Sequence, residues 1–369
     1  MSFPSTLITW FRENGRDLPW RQTRDPYAIW LSEIILQQTQ VKQGWDYWER
    51  FMRRWPTVED LAAATEDEVL REWQGLGYYS RARNLHYAAK QIVAMGHFPN
   101  TIEEIKQLKG VGDYTAAAIG SIAFGLPAAV VDGNVYRVLA RHFGIDTAIN
   151  TTEGKKLFQE LAQSLLPSSE SSSHLSHLSP LTSHLSPLTS HLSSLYNQAI
   201  MDFGAIQCTP QSPHCTECPL MESCVALREG RVTDLPVKQK TLKVKERHLI
   251  YIYIRCQGET AIHRRGPGDI WQGLWEPLCI EVSGERLEVN DILSTSGILS
   301  PLTSHLSPLK TNVRHVLTHR ILYADFYLLE IGESGERPVL PPDYIWIKES
   351  ELDDYAKPRL IEILLESVV

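Results

Sequence analysis

Four of the six cysteines lie close together in the sequence, and thiols at such spacing can bind metal. They form the pattern Cys-x6-Cys-x2-Cys-x5-Cys at Cys208, Cys215, Cys218 and Cys224, while the other two stand apart. Four thiolates spaced in this way can hold an iron–sulfur cluster or a zinc ion, and the spacing alone does not choose between them. Two short-range disulfides are the alternative, which a cytoplasmic chain disfavours. The pattern therefore predicts a metal centre.

Two acidic residues are candidates for chemistry because of where they lie on predicted helices. Glu33 is at the edge of the apolar arc of an amphipathic segment, neither fully exposed nor central. Such a residue is more often an ordinary surface glutamate. Asp132 directly precedes a predicted helix, where it can be a plain N-cap. The helix dipole at that position would also keep the carboxylate ionised, so the two roles are compatible.

A glycine pair lies between two predicted helices. Gly110 and Gly112 flank a single small residue and precede an alanine-rich helix. A turn of this kind can expose consecutive backbone N–H groups at a helix N-terminus, which binds a phosphate without reading sequence. An ordinary helix-to-helix turn is the alternative.

The elements that must position these residues change in type along the chain. Apolar residues at three-to-four spacing predict an almost entirely helical region up to residue 230. The predicted helices are Ser5–Glu13, Tyr27–Gln43, Trp45–Arg54, Val58–Ala64, Arg81–Ala94, Ile102–Gln107, Tyr114–Phe124, Val135–Phe143, Glu153–Leu165 and Leu195–Ile206. From His248 onward, short β-rich runs and a final helix, Arg359–Ser367, predict a smaller α+β region.

The domain boundaries follow from composition. Residues 1–230 are predicted to form the helical domain, residues 231–247 a basic linker, and residues 248–369 the α+β domain. The heptapeptide SPLTSHL occurs three times, and its prolines argue against a helix. We therefore expect low-complexity, disordered insertions at about residues 168–194 and 294–309.

Length and charge exclude several classes of protein. The chain has 369 residues with 43% hydrophobic and 22% charged, which excludes a disordered protein. The net charge is −8, so any nucleic-acid site must be local rather than spread over the whole surface. No apolar stretch is long enough to span a membrane, and no signal peptide is evident at the N-terminus. We expect a cytoplasmic protein that is a monomer and has no membrane partner.

Five segments in this order resemble the helix-hairpin-helix DNA glycosylases of the endonuclease III superfamily, and within it the adenine DNA glycosylases of the MutY type. They are LSEIILQQTQV (Leu31–Val41), WQGLGYYSRARNL (Trp73–Leu85), LKGVGDYTAAAI (Leu108–Ile119), VVDGNVYRVLAR (Val130–Arg141) and the four-cysteine pattern. The resemblance covers essentially Ser5–Arg228. It implies two helical modules flanking a DNA cleft and a 4Fe–4S cluster on the four cysteines. It also implies removal of adenine mispaired with 8-oxoguanine or guanine in double-stranded DNA.

The resemblance also implies roles for individual residues. Glu33 resembles the acid that protonates the adenine leaving group, Asp132 the carboxylate that stabilises the sugar cation, and Asn134 its neighbour. Partial burial suits Glu33 to that role, because it raises a carboxyl pKa towards neutrality. Tyr114 stands where bifunctional members carry a Schiff-base lysine, which implies a monofunctional enzyme.

Further residues resemble those that bind the substrate. Gln38 and Tyr78 resemble residues that intrude into the DNA helix, and Thr39 resembles one that contacts the region of the opposing base. Those resembling the lining of the adenine pocket are Trp20, Arg21, Leu36, Val41 and Gln198. Core packing is the alternative for Trp73, Tyr78 and Tyr79, and we expect it to hold for at least one of them.

The C-terminal region resembles the Nudix-like domain of the same family, which recognises 8-oxoguanine. The resemblance is carried by Trp271–Pro277 and Arg314–His319, where Leu317, Thr318 and His319 replace the family's usual Phe-Ser-His. Thr318 retains a hydroxyl for a hydrogen bond. No acid-rich Nudix box is present, so we interpret this domain as a recognition module.

Three other functions are considered. A non-catalytic binder of damaged DNA with a redox-sensing cluster would be favoured if Glu33 or Asp132 were missing. A Nudix hydrolase would need the absent metal-binding carboxylates. A bifunctional glycosylase is the main rival within the enzyme class, and Tyr114 and the extra domain argue against it.

Overall fold

The computed structural model describes residues 2–167, 192–239, 244–282, 306–332 and 335–368. By contacts, the chain divides into two compact units, and each is described separately below. Unit 1 comprises Met1–Ala63 and Asn84–Lys240, and unit 2 comprises Ala64–Arg83 and Thr241–Val369. Unit 2 therefore takes in a short segment from the middle of the predicted helical region.

Unit 1 is helical throughout its described residues. Its helices are α1 (Phe3–Asn14), α2 (Pro26–Ile35), α3 (Val41–Arg54), α4 (Val58–Ala63), most of α6 (Ser80–Met95), α7 (Ile102–Ile105), α8 (Asp113–Phe124), α9 (Gly133–Phe143), α10 (Thr152–Ser164), α11 (Leu192–Asp202) and α12 (Val225–Arg228). Helix α2 packs on α8, and α11 packs on α1, α8 and α9. The apolar faces of these helices form the core, in which Ile8, Val138 and Ala199 are fully buried.

The predicted helix Tyr27–Gln43 is wrong in one respect, because it is two helices with a turn between them. Helix α2 ends at Ile35 and α3 begins at Val41, and Gln38 in the turn has the left-handed backbone value φ 58°. The residues from Gln37 to Gln40 offer no apolar side chain for the core, so continuing the helix would bury nothing. The turn instead directs Gln38 and Thr39 to the candidate site described below.

Unit 2 is a seven-stranded sheet with helices beside it. The strands are β1 (Lys245–Cys256), β2 (Glu259–Arg264), β3 (Trp275–Glu276), β4 (Leu278–Val282), β5 (Leu306–Leu317), β6 (Arg320–Ile331) and β7 (Tyr344–Lys348), followed by α13 (Arg359–Leu365). The sheet order is β3-β2-β1-β6-β5, with β4 paired to β1 and β7 to β2. Strands β1 and β6 are parallel, and the other pairs are antiparallel.

One helix of unit 2 was missed by the sequence analysis. Helix α5 (Glu66–Glu72) begins at a capping box in which Thr65 accepts from the Glu68 amide and Glu68 accepts from the Thr65 amide. Its residues Val69 and Leu70 are fully buried. The β-rich runs of the sequence are HLIYIYIR, LWEPLCIEV, ILYADFYLLEI and YIWI, which correspond to β1, β3 with β4, β6 and β7. Strands β2 and β5 were therefore missed as well.

The low-complexity insertions lie largely outside the described residues, as do the repeats at 179–191. Their predicted ends are wrong, because Leu192–Ser194 belong to helix α11 and Leu306–Leu309 to strand β5. Leu306 pairs with Leu329 of β6, which gives this end of the insertion a partner in the sheet. Of the predicted linker, the described residues 231–239 are bonded to unit 1, for example through the Ile149 amide and the Val237 carbonyl.

No helix in the described part of the chain is long and apolar enough to cross a lipid bilayer.

Candidate active site

A cavity of about 770 Å³ in unit 1 collects most of the predicted site residues. Its lining includes Glu33, Asp132, Tyr114 and Asn134, the four predicted catalytic residues. It also includes the predicted binding residues Trp20, Arg21, Leu36, Gln38, Thr39, Val41 and Gln198. The remaining predicted binding residues, Gly110, Gly112, Tyr78, Thr318 and His319, are not part of this cavity.

Glu33 is placed in the cavity wall by helix α2. The Tyr114 hydroxyl donates a hydrogen bond of 2.9 Å to its Oε2. The pKa of Glu33 is raised to about 7, and burial is the largest cause; the Tyr114 hydrogen bond lowers the pKa, the charge of Asp132 raises it, and the charge of Arg21 lowers it. A carboxyl group with this pKa can hold a proton at neutral pH and release it to a bound molecule.

Asp132 is the N-cap of helix α9, as the sequence predicts. Its Oδ1 accepts from the backbone amides of Asn134 and Val135 at 2.9 and 2.8 Å, and its Oδ2 accepts from the Asn134 side chain at 2.9 Å. Burial raises the pKa of Asp132, whereas these hydrogen bonds and Arg137 lower it, and burial is the larger effect. The helix terminus therefore offsets only part of the cost of burying this carboxylate.

Asn134 is held in place from its other side by a buried arginine. Arg137 donates from Nη2 to Asn134 Oδ1 at 2.8 Å and from Nε to the Cys208 carbonyl at 2.6 Å. Gly204 packs against Asn134 so closely that a Cβ at residue 204 would lie 2.6 Å from the Asn134 Cβ. A hydrogen-bonded path thus runs from Asp132 to the first cysteine of the cluster pattern.

Aromatic and amide side chains complete the cavity wall. The Trp20 ring packs edge-on against Trp45 and Trp48, with ring centroids 6.0 and 5.7 Å away. Gln198 is buried and donates from Nε2 to Ser194 Oγ at 3.0 Å, so its amide has a fixed orientation. The wall combines flat apolar surface with a few oriented polar groups, which suits a planar heterocyclic base.

Sequence reasoning missed two residues of this region, Arg16 and Asp202. Asp202 is completely buried at the end of α11 and accepts hydrogen bonds from both Arg16 and Arg21. Its signal in the sequence was an acidic residue three positions after Ala199 and seven after Leu195, on the apolar face of a predicted helix. A buried carboxylate needs a partner, so that position alone indicated an ion pair.

The four clustered cysteines lie on short turns after α11. Cys208, Cys218 and Cys224 pack against the core of unit 1, and all six cysteines are free thiols. The pKa of Cys218 is raised to about 11, with burial as the largest cause; the backbone hydrogen bond of Leu220 lowers it, and the charges of the other three thiols raise it. Arg141 Nη1 donates to Cys208 Sγ at 3.4 Å. No group of three or more His, Cys, Asp or Glu side chains among the described residues is arranged to hold a metal ion, so the fit to an iron–sulfur cluster rests on four free thiols within one short stretch of chain.

The glycine turn joins α7 to α8, with Gly112 as the N-cap of α8. Gly110 has φ 81°, and a Cβ there would lie 2.8 Å from the Asn84 side chain, so this position requires glycine. The predicted run of consecutive exposed N–H groups is wrong, because the Val111 amide bonds the Leu108 carbonyl and the Lys109 amide bonds Gln91 Oε1. The tightness of the turn leaves only alternate N–H groups for an anion.

A second cavity, of about 550 Å³, lies within unit 2 and contains Tyr78, Thr318 and His319. The hydroxyls of Tyr78 and Thr318 are hydrogen-bonded to each other. Tyr78 is 46% exposed and has φ 47°, whereas Trp73 and Tyr79 are buried. Core packing therefore holds for two of these three aromatic residues, and the expectation that it holds for at least one is confirmed.

Three protein families match parts of the chain. Residues 31–164 match the HhH-GPD superfamily of base excision DNA repair proteins, residues 208–224 match the iron–sulfur binding domain of endonuclease III, and residues 250–367 match the NUDIX domain. These matches confirm the predicted 4Fe–4S cofactor and the predicted fold class, a helix-hairpin-helix glycosylase fold followed by a Nudix-like α+β domain. Fold and site thus define a base-excision-repair protein of the HhH-GPD superfamily.

Individual relatives narrow this class. The chain is 31% identical over 330 residues to the adenine DNA glycosylase of Buchnera aphidicola subsp. Baizongia pistaciae, covering 87% of this chain and 84% of that protein. It is 40% identical over 249 residues to the adenine DNA glycosylase of Rattus norvegicus, covering 64% of this chain and 44% of that protein. The chain belongs to the adenine DNA glycosylase family, which confirms the predicted resemblance.

The matched part spans less than half of the rat and human relatives, 44% and 39% of their lengths. Among solved structures, a thermostable thymine-DNA glycosylase is 31% identical with a TM-score of 0.52, covering 62% of this chain and 95% of that one. That protein is named for a different base, thymine.

Proposed function

We propose that this protein is a base-excision-repair DNA glycosylase that removes adenine mispaired with 8-oxoguanine or guanine in double-stranded DNA. The observation that carries the proposal is the pair Glu33 and Asp132 in one cavity, with the pKa of Glu33 raised to about 7. Membership of the adenine DNA glycosylase family supports adenine as the base.

The chemistry divides between the two carboxyl groups. Glu33 donates its proton to the five-membered ring of adenine as the bond from the sugar to the base breaks, and the base leaves neutral. The sugar carbon becomes cation-like, and the Asp132 carboxylate stabilises the developing positive charge. Water then adds to that carbon and loses a proton, which leaves an abasic site. Asn134 and Arg137 hold Asp132 in place through the hydrogen bonds described above.

The adenine must leave the duplex to reach this cavity. Trp20, Arg21, Leu36, Val41 and Gln198 line the cavity around the extruded base. Gln38 lies in the turn between α2 and α3, and we propose that it intrudes into the duplex. We propose the same role for the ring of Tyr78, which is exposed. Gly110 and Gly112 contribute backbone N–H groups to a DNA phosphate.

The proposal includes a monofunctional reaction without strong strand cleavage. β-Elimination through an imine needs an amine nucleophile beside the sugar carbon. Tyr114 stands at that position and donates its hydroxyl to Glu33. No lysine is among the described residues that line the cavity.

We propose that unit 2 recognises the base opposite adenine, through Thr318 and His319. Both residues line the 550 Å³ cavity together with Trp271 and His315, which supplies an aromatic surface and hydrogen-bonding groups for a purine. We further propose that Cys208, Cys215, Cys218 and Cys224 hold the 4Fe–4S cluster, which supplies structural order to the loop after α11. The monomeric state and the cytoplasmic location stay predictions.

The test is single-turnover base release from three duplexes, with adenine opposite 8-oxoguanine, guanine or thymine. We expect the fastest release from the first, slower release from the second and little from the third, with strand breakage only after alkali treatment. Binding of the lesion duplex without release by the cluster-loaded protein would establish the non-catalytic binder instead. Strand cleavage without alkali would establish a bifunctional enzyme.

A further inference from the structure

Asp202 binds two arginines that both line the candidate active site. Its Oδ1 and Oδ2 accept from Nη2 and Nη1 of Arg21, both at 2.8 Å. They also accept from the backbone amide of Arg16 at 2.9 Å and from its Nε at 3.1 Å. Arg16 and Arg21 line the 770 Å³ cavity, whereas Asp202 does not. Asp202 therefore acts on the cavity only through the arginines.

The ion pairs of Asp202 are strongly buried. Its side chain has no exposed surface, and that of Arg21 is 15% exposed. Burial alone would raise the pKa of Asp202, but hydrogen bonds and charges from Arg21 and Arg16 outweigh burial and lower the pKa to about 2. Asp202 is therefore ionised throughout the pH range in which the protein is expected to work. One carboxylate between two guanidinium groups leaves a net charge of +1 at this wall of the cavity.

The contacts also fix the orientation of the Arg21 guanidinium. Two parallel N–H···O bonds to one carboxylate define the plane of the group. Arg21 Nη1 also donates to the Arg16 carbonyl at 2.8 Å, and the guanidinium carbon lies 5.2 Å from the centre of the Phe11 ring. Few positions remain open to a side chain held from three directions. The charge of Arg21 in turn acts on Glu33, whose pKa it lowers.

We propose that Asp202 is a positioning residue that orients Arg21 in the wall of the active-site cavity, where Arg21 contacts the extruded base. This inference rests on the proposed function. Asp202 itself touches neither the base nor the sugar. It anchors the segment Arg16–Arg21, which follows α1, to the end of α11, and so it sets the distance between Arg21 and the base.

The test uses the cluster-loaded full chain with the variants Asp202→Asn and Arg21→Met and the double variant. Asp202→Asn keeps the shape but loses the charge, so we expect Arg21 to lose its fixed orientation and the single-turnover rate at saturating enzyme to fall by about 10²-fold. Binding of a duplex that already contains an abasic site should change less than threefold or so, because no base then enters the cavity. Asp146→Asn removes another arginine-paired but exposed aspartate of unit 1 and should leave the rate unchanged.

The double variant distinguishes positioning from a general structural role. If Asp202 acts through Arg21, adding Asp202→Asn to Arg21→Met should lower the rate little further, whereas independent effects would multiply. Thermal unfolding and the visible absorbance of the cluster report whether each variant is folded and loaded. A multiplicative double variant, or an Asp202→Asn rate equal to that of the wild type, would overturn the inference. Absence of base release by the wild type would instead overturn the proposed function.

Discussion

The two cavities shift the pKa values of their carboxyl groups in opposite directions. In unit 2, Asp269 is surrounded by Arg247, Arg265 and Arg320, whose nitrogen atoms lie 2.7 to 2.8 Å from its oxygens. Burial would raise its pKa, but hydrogen bonds from Arg247, the Ile270 amide and Arg320 outweigh burial and hold the pKa well below its usual range. In unit 1, burial dominates and raises the pKa of both Glu33 and Asp132.

This difference in carboxyl pKa supports the roles that we propose for the two cavities. A carboxylate enclosed by three guanidinium groups cannot accept or donate a proton near neutral pH, so Asp269 supports structure. The Glu33 carboxyl accepts a hydrogen bond from the Tyr114 hydroxyl, and with a pKa of about 7 its proton is exchangeable near neutral pH. We propose chemistry in unit 1 and recognition in unit 2, and the following substitutions test that proposal.

Glu33→Gln should have the largest effect. Glutamine keeps the size of the side chain but cannot donate a proton at neutral pH, and general acid catalysis supplies typically 10²- to 10⁴-fold. We expect base release from adenine opposite 8-oxoguanine to fall by about that factor in single-turnover assays. Glu13→Gln, an exposed glutamate of the same unit, is the control. If Glu33→Gln released adenine at the wild-type rate, Glu33 would not be the general acid.

The same substitution should stabilise the fold above neutral pH. The pKa of Glu33 is about 7 in the folded state against 4.5 for an exposed glutamate, so the folded state binds this proton more tightly. The stability of the wild type therefore decreases as pH rises between these two values and stays reduced above them. We expect Glu33→Gln to exceed the wild type by about 3 kcal/mol at about pH 8 and to match it at about pH 4. Chemical denaturation at both pH values measures this, and a pH-independent difference would contradict it.

Asp132→Asn should have the second-largest effect on base release. It also separates two roles of one side chain, capping the helix and stabilising the sugar cation. Asparagine caps helices as well as aspartate does, so we expect the midpoint of thermal unfolding to change little. Loss of the negative charge beside the sugar should reduce base release by about 10²-fold. The charge of Asp132 also raises the pKa of Glu33, so the rate should begin to fall at lower pH in the variant. An unfolded variant would assign Asp132 to structure alone.

Tyr114→Phe should have a smaller effect on the rate. It should shift the pH at which the rate declines in the opposite direction to Asp132→Asn. The wild-type rate should decline as pH rises through about 7, where Glu33 loses its proton. The Tyr114 hydrogen bond lowers that pKa, so its removal should shift the decline to higher pH, with a rate change below about tenfold at lower pH. Tyr136→Phe, on a tyrosine that packs against Phe158, is the matched control. A decline that shifts to lower pH would disprove this account of Glu33.

Local patterns drew attention to the two carboxyl groups, but the family resemblance assigned their roles. The edge of an amphipathic segment marked Glu33 and a helix N-cap position marked Asp132, and each pattern alone favoured an ordinary surface glutamate and a plain cap. The ion pair of Arg21 with Asp202 joins residues far apart in the chain, and so does the hydroxyl pair of Tyr78 and Thr318. A local pattern can indicate that Asp202 is buried and needs a partner, but it does not identify Arg21 as that partner.

The fold shows the same limit. Most helices were predicted from periodicity, whereas the turn at Gln38 was missed because glutamine favours helices and nothing local marks the break. Strand β5 begins inside a predicted low-complexity insertion and gains its order from pairing with β6. Burial and strand pairing decide these positions, and both depend on residues distant in sequence.

Thr318→Val should have the smallest effect and one confined to recognition. Valine keeps the shape of threonine but removes the hydroxyl, which is hydrogen-bonded to Tyr78 and which we propose as a hydrogen-bonding group for the base opposite adenine. Loss of one hydrogen bond costs about 1 kcal/mol, so the preference for adenine opposite 8-oxoguanine over guanine should fall by about fivefold. Release of adenine opposite guanine should stay near the wild-type rate, because Glu33 and Asp132 are untouched. Thr311→Val, on an exposed residue of β5, is the control. An equal loss on both duplexes would mean that the cavity of unit 2 contributes to the chemical step, and the division of labour between the two cavities would then fail.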